Sequence, residues 1–336
     1  MKTEKQEVQA TELITASEVT PKDLKWLWYP YFPLGKVSIV QGDPGDGKST
    51  FLLTIAALLS KGDNLPFCED GTLPVKVIYQ TTEDDLEDTV VPRFIKAGGN
   101  LENLVFIKED VTPLTFADER ISVALQRTGA KLLILDPLSS YIGECSLNSA
   151  NEVRPQFNHL IKAAKENECA IIVVDHMNKG EAKKVLYRTI GSIDVVGAVR
   201  SMITIIRDPE DTDKRYFIQT KSNLAKTGKP FSFSVSDNGI EFIEELDATV
   251  DELLAKFSSA IGRPAERIDE AKAEILDMLA DGKQHPAKEC MGMLIDAGIK
   301  KSTAKLAKKD LGVLSVKSGE IWYWILPDSN KDTRSQ

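Results

Sequence analysis

The chain has 336 residues, with 42 Lys and Arg against 51 Asp and Glu and a formal net charge of −9 at pH 7. Hydrophobic residues make up 42% and charged residues 28%, a globular balance that excludes a wholly disordered chain, and the length suits about two domains. The acidity argues against a protein that coats nucleic acid with its whole surface, and leaves room for a local basic patch.

No apolar run approaches the ~18 residues of a membrane helix. The opening MKTEKQEVQATELITASE lacks the apolar stretch of a secretory signal. Cys68, Cys145, Cys169 and Cys290 are scattered, with no CxxC pair, which disfavours a disulfide scaffold or a zinc finger. A cytoplasmic chain without a membrane partner is expected.

Residues 1–12 are polar and aperiodic and read as a flexible start. The stretch LKWLWYPYFPL follows, whose Trp26, Trp28, Tyr29 and Phe32 read first as packing, with a clasp on a neighbour or a base as the alternative. Lys36–Gln41 predicts a buried strand, and FLLTIAALLSKG predicts a helix stopped by Gly62. Further strands are predicted over Val75–Gln80, Leu132–Leu135, Ala170–Val174, Met202–Ile206, Arg215–Lys221 and Phe231–Ser236, with a helix over Asn151–Asn167. Short Val/Ile/Leu runs alternating with helical segments predict an α/β fold, a central mostly parallel sheet flanked by helices.

Composition changes near Leu246. The expected organisation is a main domain over 13–246, a helical linker over 247–264 broken at Gly262-Arg263-Pro264, a small domain over 265–327, and a disordered tail over 328–336. In the small domain, helices are predicted over 265–282 and Ala287–Asp296, and a third begins at a capping Ser302. A hairpin follows, Val313–Lys317 and Ile321–Leu326, turning at Ser318-Gly319. Three helices and a hairpin predict a winged helix-turn-helix.

Gly42-Asp43-Pro44-Gly45-Asp46-Gly47-Lys48-Ser49, with Thr50 after it, matches GxxxxGK[ST]. Glycines let backbone N–H groups wrap an oxyanion, and the loop opens into a helix N-terminus carrying partial positive charge. Lys48 is expected to reach the β- and γ-phosphates of ATP, and Ser49 to hold Mg²⁺. The bland alternative is a chance glycine turn; the strand before and helix after are the context the motif needs.

Hydrolysis needs a second carboxylate on the metal side and a group that orients water. Asp136 ends LLILD and is expected at the carboxyl edge of the sheet, facing Mg²⁺ mostly through water, or else capping a helix. Glu83, in the acidic run after VKVIYQ, is either the base for the attacking water or part of a solvated turn with Asp84 and Asp85. His176 ends the fourth strand, placed to sense the γ-phosphate or simply to pack.

The order and spacing of WLWYPYFPLGKVSIVQGDPGDGKST, TTEDD, LLILDP, DHMNKG and GSIDVVGAVRS resemble the RecA/DnaB class of P-loop ATPases, and within it the plasmid replicative helicase RepA-like family with its phage and prophage relatives. The resemblance covers roughly 12–245. It implies a RecA-like core, with Glu83 as the catalytic glutamate, Asp136 as the Walker B carboxylate and His176 as the γ-phosphate sensor. It further implies a homo-oligomer, a hexameric ring with ATP at subunit interfaces and cationic fingers supplied in trans. Arg200 is similar to the RepA-type finger, and Lys221 to the basic position of the DnaB-type pair. That pair is usually Lys-x-Arg and here reads Lys221-Ser222-Asn223, so Arg200 is expected to compensate.

Two basic segments are candidates for DNA. After His176 come Lys179, Lys183, Lys184 and Arg188, with Tyr187 as a stacking face. The resemblance implies that this loop meets single-stranded DNA in the ring channel; otherwise it is a surface loop or subunit contact. Between 300 and 317 lie six lysines and one acid, Asp310. There Lys305, Lys308, Lys309 and Lys317 are expected at duplex phosphates, or at a docked protein. The leading expectation is a Mg²⁺-dependent ATPase coupled to DNA, a ring-forming helicase or helicase-like motor. The alternatives are a nucleotide-dependent DNA-binding regulator without unwinding activity, a small-molecule kinase, and an interaction protein with a vestigial P-loop.

Overall fold

A computed structural model describes residues 13–69, 71–109, 112–143, 145, 150–176, 193–299, 301–319 and 321–326. The expected flexible start and tail, and the basic segment carrying Lys179, Lys183, Lys184, Tyr187 and Arg188, lie outside the described residues. The chain divides into two compact units. One runs through Ile206 and resumes over Asp213–Asp247; the other comprises Arg207–Thr212 and the chain from Ala248 onward.

The first unit opens with β1 (Trp26–Trp28), β2 (Phe32–Pro33), β3 (Val37–Gly42) and α1 (Lys48–Lys61). Next come β4 (Val77–Thr81), α2 (Val91–Lys96), β5 (Leu104–Val105), α3 (Glu119–Thr128), β6 (Leu132–Asp136), α4 (Leu138–Tyr141) and α5 (Ala150–Asn167). It continues through β7 (Ala170–His176), α6 (Ile193–Ala198), β8 (Ser201–Arg207), β9 (Lys214–Ser222), β10 (Phe231–Ser236) and β11 (Gly239–Glu245). The second unit holds α7 (Val250–Met278), β12 (His285–Pro286), α8 (Ala287–Asp296), α9 (Lys301–Asp310), β13 (Leu314–Ser318) and β14 (Ile321–Ile325).

A nine-stranded sheet in the order β11-β10-β9-β8-β3-β7-β6-β4-β5 forms the centre of the first unit. The pairs β3–β7, β3–β8, β6–β7, β4–β6 and β4–β5 are parallel, whereas β9–β10 and β10–β11 are antiparallel. This is the α/β architecture expected, a mostly parallel sheet flanked by helices. Side chains alternate across each strand, and the two faces build two cores. Val40, Tyr79, Ile134 and Ile172 join α1 on one side. Ile39, Ile78, Leu133 and Ile171 face the other, with residues of α3, α5 and α6.

Helix α1 is buried almost all round, through Phe51, Leu52, Leu53, Ile55, Ala56 and Leu59. It stops where expected: Gly62 has φ 79° and turns its N–H back onto the Leu58 and Leu59 carbonyls. A Cβ at Gly62 would stand 2.4 Å from the Thr72 carbonyl oxygen. Part of the aromatic stretch is packing, while Trp26 is half-buried and Tyr29 exposed. Trp28 and Phe32 are buried, and Trp28 lies against Phe217 and Phe231, which stack at 4.5 Å and 15°.

Several elements were not anticipated. Strand β11 reads GIEFIEE, alternating but acid-rich, and among the described residues it pairs only with β10. Helix α3 is a short amphipathic segment, capped by the Asp118 carboxylate on Arg120 N–H and closed by Gly129 at φ 65°. The break expected at Gly262-Arg263-Pro264 is instead continuous helix, part of the 29-residue α7, which starts from a Thr249/Glu252 capping box. A proline costs a helix one backbone hydrogen bond and a steric clash, and here both flanks supply enough helical chain to carry it. Ser302 is one residue inside α9 rather than its cap.

The second unit has its own core, with Ala271, Ile275 and Leu279 of α7's end against Leu294, Ala304, Ala307 and Trp324. A three-stranded sheet, β12-β14-β13, closes it.

Phe217 anchors the aromatic side of the main sheet, with no exposed surface. Phe217→Ala is expected to cost about 3–5 kcal/mol, read as a lower denaturant midpoint with an unchanged m-value.

Candidate active site

Strands β3, β4, β6 and β7 run parallel, so their carboxyl ends share one edge. Ligands bind at that edge in open α/β sheets. The loop Gly42–Ser49 leaves β3 there and enters α1 at Lys48. Glycine is required at two points. Gly47 has φ 83°, with Val235 Cγ2 of β10 only 3.1 Å from where a Cβ would be, and a Cβ on Gly42 would meet the Ile205 carbonyl oxygen at 2.5 Å. Asp46 tightens the loop by accepting the Asp43 N–H at 2.9 Å. From outside, Arg215 of β9 donates Nε–H to the Asp46 carbonyl at 3.2 Å.

Lys48 is buried, and its Nζ donates to the Gly42 and Asp43 carbonyls, each at 2.9 Å. Burial lowers its pKa, while Asp46, Asp136, Asp43 and Asp175 pull the other way. The ammonium thus lies within electrostatic range of four carboxylates.

Asp136 ends β6 as expected, and its carboxylate does not cap a helix. The N-cap of α4 is Pro137, and Asp136 Oδ2 instead accepts from Ser49 Oγ at 2.6 Å and Tyr79 OH at 3.0 Å. Burial raises the Asp136 pKa, the Ser49 and Tyr79 hydrogen bonds oppose that shift, and Glu83 adds to it. Burial also pushes the Tyr79 hydroxyl well up. Ser49 and Asp136 are hard oxygen donors already in contact, and they fit Mg²⁺, which takes one or two protein oxygens and fills the rest with water and phosphate. Among the described residues no cluster of three or more His, Cys, Asp or Glu could hold a metal ion.

Glu83 follows β4 and is exposed, with Oε1 3.7 Å from His176 Nε2. On the other side of the ring, His176 Nδ1 lies 3.3 Å from Lys48 Nζ. The imidazole thus lies between Lys48 and Glu83. Lys48, His176 and Glu83 therefore form one continuous polar chain from the phosphate cradle to the carboxylate. The neighbouring acids belong elsewhere. Asp84 pairs with Arg93 at 2.8 Å, and Asp85 caps the turn at Glu87 N–H.

The structure brings together Lys48, Ser49, Glu83, Asp136 and His176. It places Arg200 and Lys221 at the opposite edge of the sheet, because Ser201 pairs with Ser38 at the start of β3. In the second unit, Lys305 and Lys309 are exposed. Lys308 is half-buried, its Nζ 5.1 Å from the Trp324 ring and donating to the exposed Ser315 Oγ. Burial lowers its ammonium pKa. Lys317 lies on exposed β13, 5.9 Å from the Trp322 ring.

Sequence reasoning missed Tyr79 and Arg215. A tyrosine inside the strand VIYQT and an arginine followed by YFIQ were the available signals, since each puts a polar group in a run that must be buried.

The fold and the cradle define a P-loop nucleotide-binding α/β domain. Residues 2–182 match the AAA domain model, and the chain belongs to that family. It is similar to the DNA repair protein RadA of Aquifex aeolicus (strain VF5), 25% identical over 220 residues, which are 64% of this chain and 43% of that protein. The DNA repair protein RadA of Bacillus subtilis (strain 168) is 29% identical over 149 residues, 43% of this chain and 28% of the relative. The chain thus spans less than half the length of these curated relatives. Among solved structures, a KaiC-like protein of Pyrococcus horikoshii OT3 aligns with TM-score 0.46 and 17% identity, covering 63% of this chain and 91% of that one. The RadB recombinase aligns with TM-score 0.46 and 19% identity, covering 63% and 93%.

Tyr79→Phe removes one of two donors to a buried carboxylate. It is expected to destabilise the protein by about 1.5–3 kcal/mol, measured by denaturant unfolding without nucleotide.

Proposed function

We propose that the protein hydrolyses ATP with Mg²⁺ and couples hydrolysis to DNA as a ring-forming, helicase-like motor. The observation that carries this reading is the convergence of Lys48, Ser49, Asp136, Glu83 and His176 on one sheet edge. A site that only held nucleotide would not need a carboxylate and an imidazole aligned with the P-loop lysine.

In this mechanism the loop amides and Lys48 hold the polyphosphate, which draws Nζ off the Gly42 and Asp43 carbonyls. Ser49 and Asp136 would hold Mg²⁺, which would supply charge neutralisation for the phosphates. Glu83 orients the attacking water and accepts its proton. His176 shares Lys48 and Glu83 as neighbours, so loss of the γ-phosphate changes the contacts of the residue that ends β7. The basic segment with Lys179, Lys183, Lys184 and Arg188 begins three residues later in the chain, and carries the change to single-stranded DNA.

The second unit is read as a winged helix. Lys301, Lys305 and Lys309 are spaced by four residues and so line one face of α9. With Lys317 on the hairpin they suit backbone phosphates, a contact that positions the domain and reads no sequence. Arg200 and Lys221 are the fingers offered to a neighbour's nucleotide in a hexameric, cytoplasmic assembly. The RadA relatives, named as DNA repair proteins, support a DNA-associated role.

The test is ATP hydrolysis by wild type and Lys48→Ala, alone, with single-stranded DNA and with duplex. Stimulation of wild type by single strands with a silent Lys48→Ala supports the motor. A rate indifferent to DNA favours the regulator reading. Glu83→Gln is expected to lower kcat by about 10²–10⁴-fold, with nucleotide affinity by calorimetry unchanged.

A further inference from the structure

Three cations from different elements meet at the sheet edge opposite the P-loop. Lys221, near the end of β9, donates Nζ to the carbonyls of Val196 and, at 2.9 Å, Val199. Between those two carbonyls lies Gly197 of α6, and a Cβ on Gly197 would stand 3.6 Å from Arg154 Nη1 of α5. The Arg154 guanidinium therefore lies along the same turn that Lys221 bonds. Arg200 follows that turn, its N–H on the Val37 carbonyl at 3.1 Å. Arg154 and Arg200 are exposed. Among the described residues no carboxylate pairs with any of the three. Burial lowers the Lys221 pKa, and Arg200 and Arg154 lower it further. Three like charges held this close repel one another, and a polyanion relieves the repulsion.

That polyanion cannot come from the chain's own cradle. Ser201, next to Arg200, is in register with Ser38, four residues before Gly42. At ~3.3 Å per residue the cradle begins about 13 Å away along the sheet. A nucleic-acid strand spreads its charges along its length, whereas this cluster gathers around one helical turn and suits the packed charges of a triphosphate.

We propose that Arg154 joins Arg200 and Lys221 in one cationic face that takes the polyphosphate of a nucleotide held in the P-loop of a second copy of this chain. The proposal rests on the ATPase reading above and adds Arg154 to the groups that neutralise charge as the γ-phosphoryl transfers. A cation supplied in trans contributes about 10³–10⁵-fold in other P-loop enzymes, so one member of a set of three is expected to contribute about tenfold or more.

The test uses the full chain and the variants Arg154→Ala, Arg154→Lys and Lys48→Ala, with ATP hydrolysis and fluorescent-ADP affinity as readouts. Arg154→Ala is expected to lose about tenfold or more in hydrolysis while its affinity for ADP stays that of wild type, and Arg154→Lys to keep most of the rate. The deciding measurement is a 1:1 mixture of Arg154→Ala and Lys48→Ala after subunit exchange. The first supplies an intact cradle and the second an intact cationic face, so the mixture should exceed the sum of its parts. A wild-type rate in Arg154→Ala overturns the proposal. So does a mixture that gains nothing, which would mean that Arg154 acts within its own chain. A loss confined to the DNA-stimulated rate also overturns it and assigns the cluster to nucleic acid. A wild-type chain that hydrolyses nothing, or a Lys48→Ala chain as fast as wild type, overturns the ATPase reading together with the proposal.

Discussion

The parallel register of β3, β7, β6 and β4 is the constraint on which the site depends. Because these strands run the same way, Gly42, His176, Asp136 and Thr81 end at one edge, and the residues that follow them meet. A slip of one residue in any pair would send Tyr79 or the Val/Ile runs to the wrong core. The two buried cores thus fix the register, and the register fixes the chemistry. Asp136 reaches Ser49 because Ile134 and Leu133 are each committed to opposite faces.

Electrostatics at that edge are arranged around one buried ammonium. Lys48 has backbone carbonyls and His176 as neighbours, with four carboxylates within electrostatic range. Desolvation disfavours its charge, and the carboxylates oppose that in part. Asp136 has the complementary problem and is held by two hydroxyl donors on a single oxygen.

The sheet does more than carry the P-loop strand. Its antiparallel extension, β9 to β11, supports the loop from the side through Arg215 on the Asp46 carbonyl and Val235 beside Gly47. The same β9 carries Lys221 near its end, so one strand links the support of its own cradle to the cationic cluster at the opposite edge. Stacked Phe217 and Phe231 hold β9 to β10 between those two ends.

Much of this was legible from sequence, because the signals were local. The GxxxxGK[ST] spacing with a strand before and a helix after specified the cradle, and apolar runs ending in Asp136 or His176 placed those residues at strand ends. Gly62 marked a helix end because only glycine adopts its φ comfortably. What stayed hidden depended on partners distant in the chain. Nothing in VIYQT says that Tyr79 bonds Asp136, 57 positions on. Nothing in the helix around Arg154 says that it lies against Gly197. The lysines of α9 looked equivalent, yet Lys308 holds its ammonium beside the Trp324 ring while Lys305 and Lys309 stay exposed, because helical phase sets which of them lies nearest β14. Gly262-Arg263-Pro264 read as a break because local propensity argues so, and the helix runs through it. Sequence by itself determined most of the element types, the cradle and the candidate hydrolytic residues. Only the tertiary structure decided which of them touch, since hydrogen bonds and charge pairs form across strands whose neighbours in space are remote in sequence.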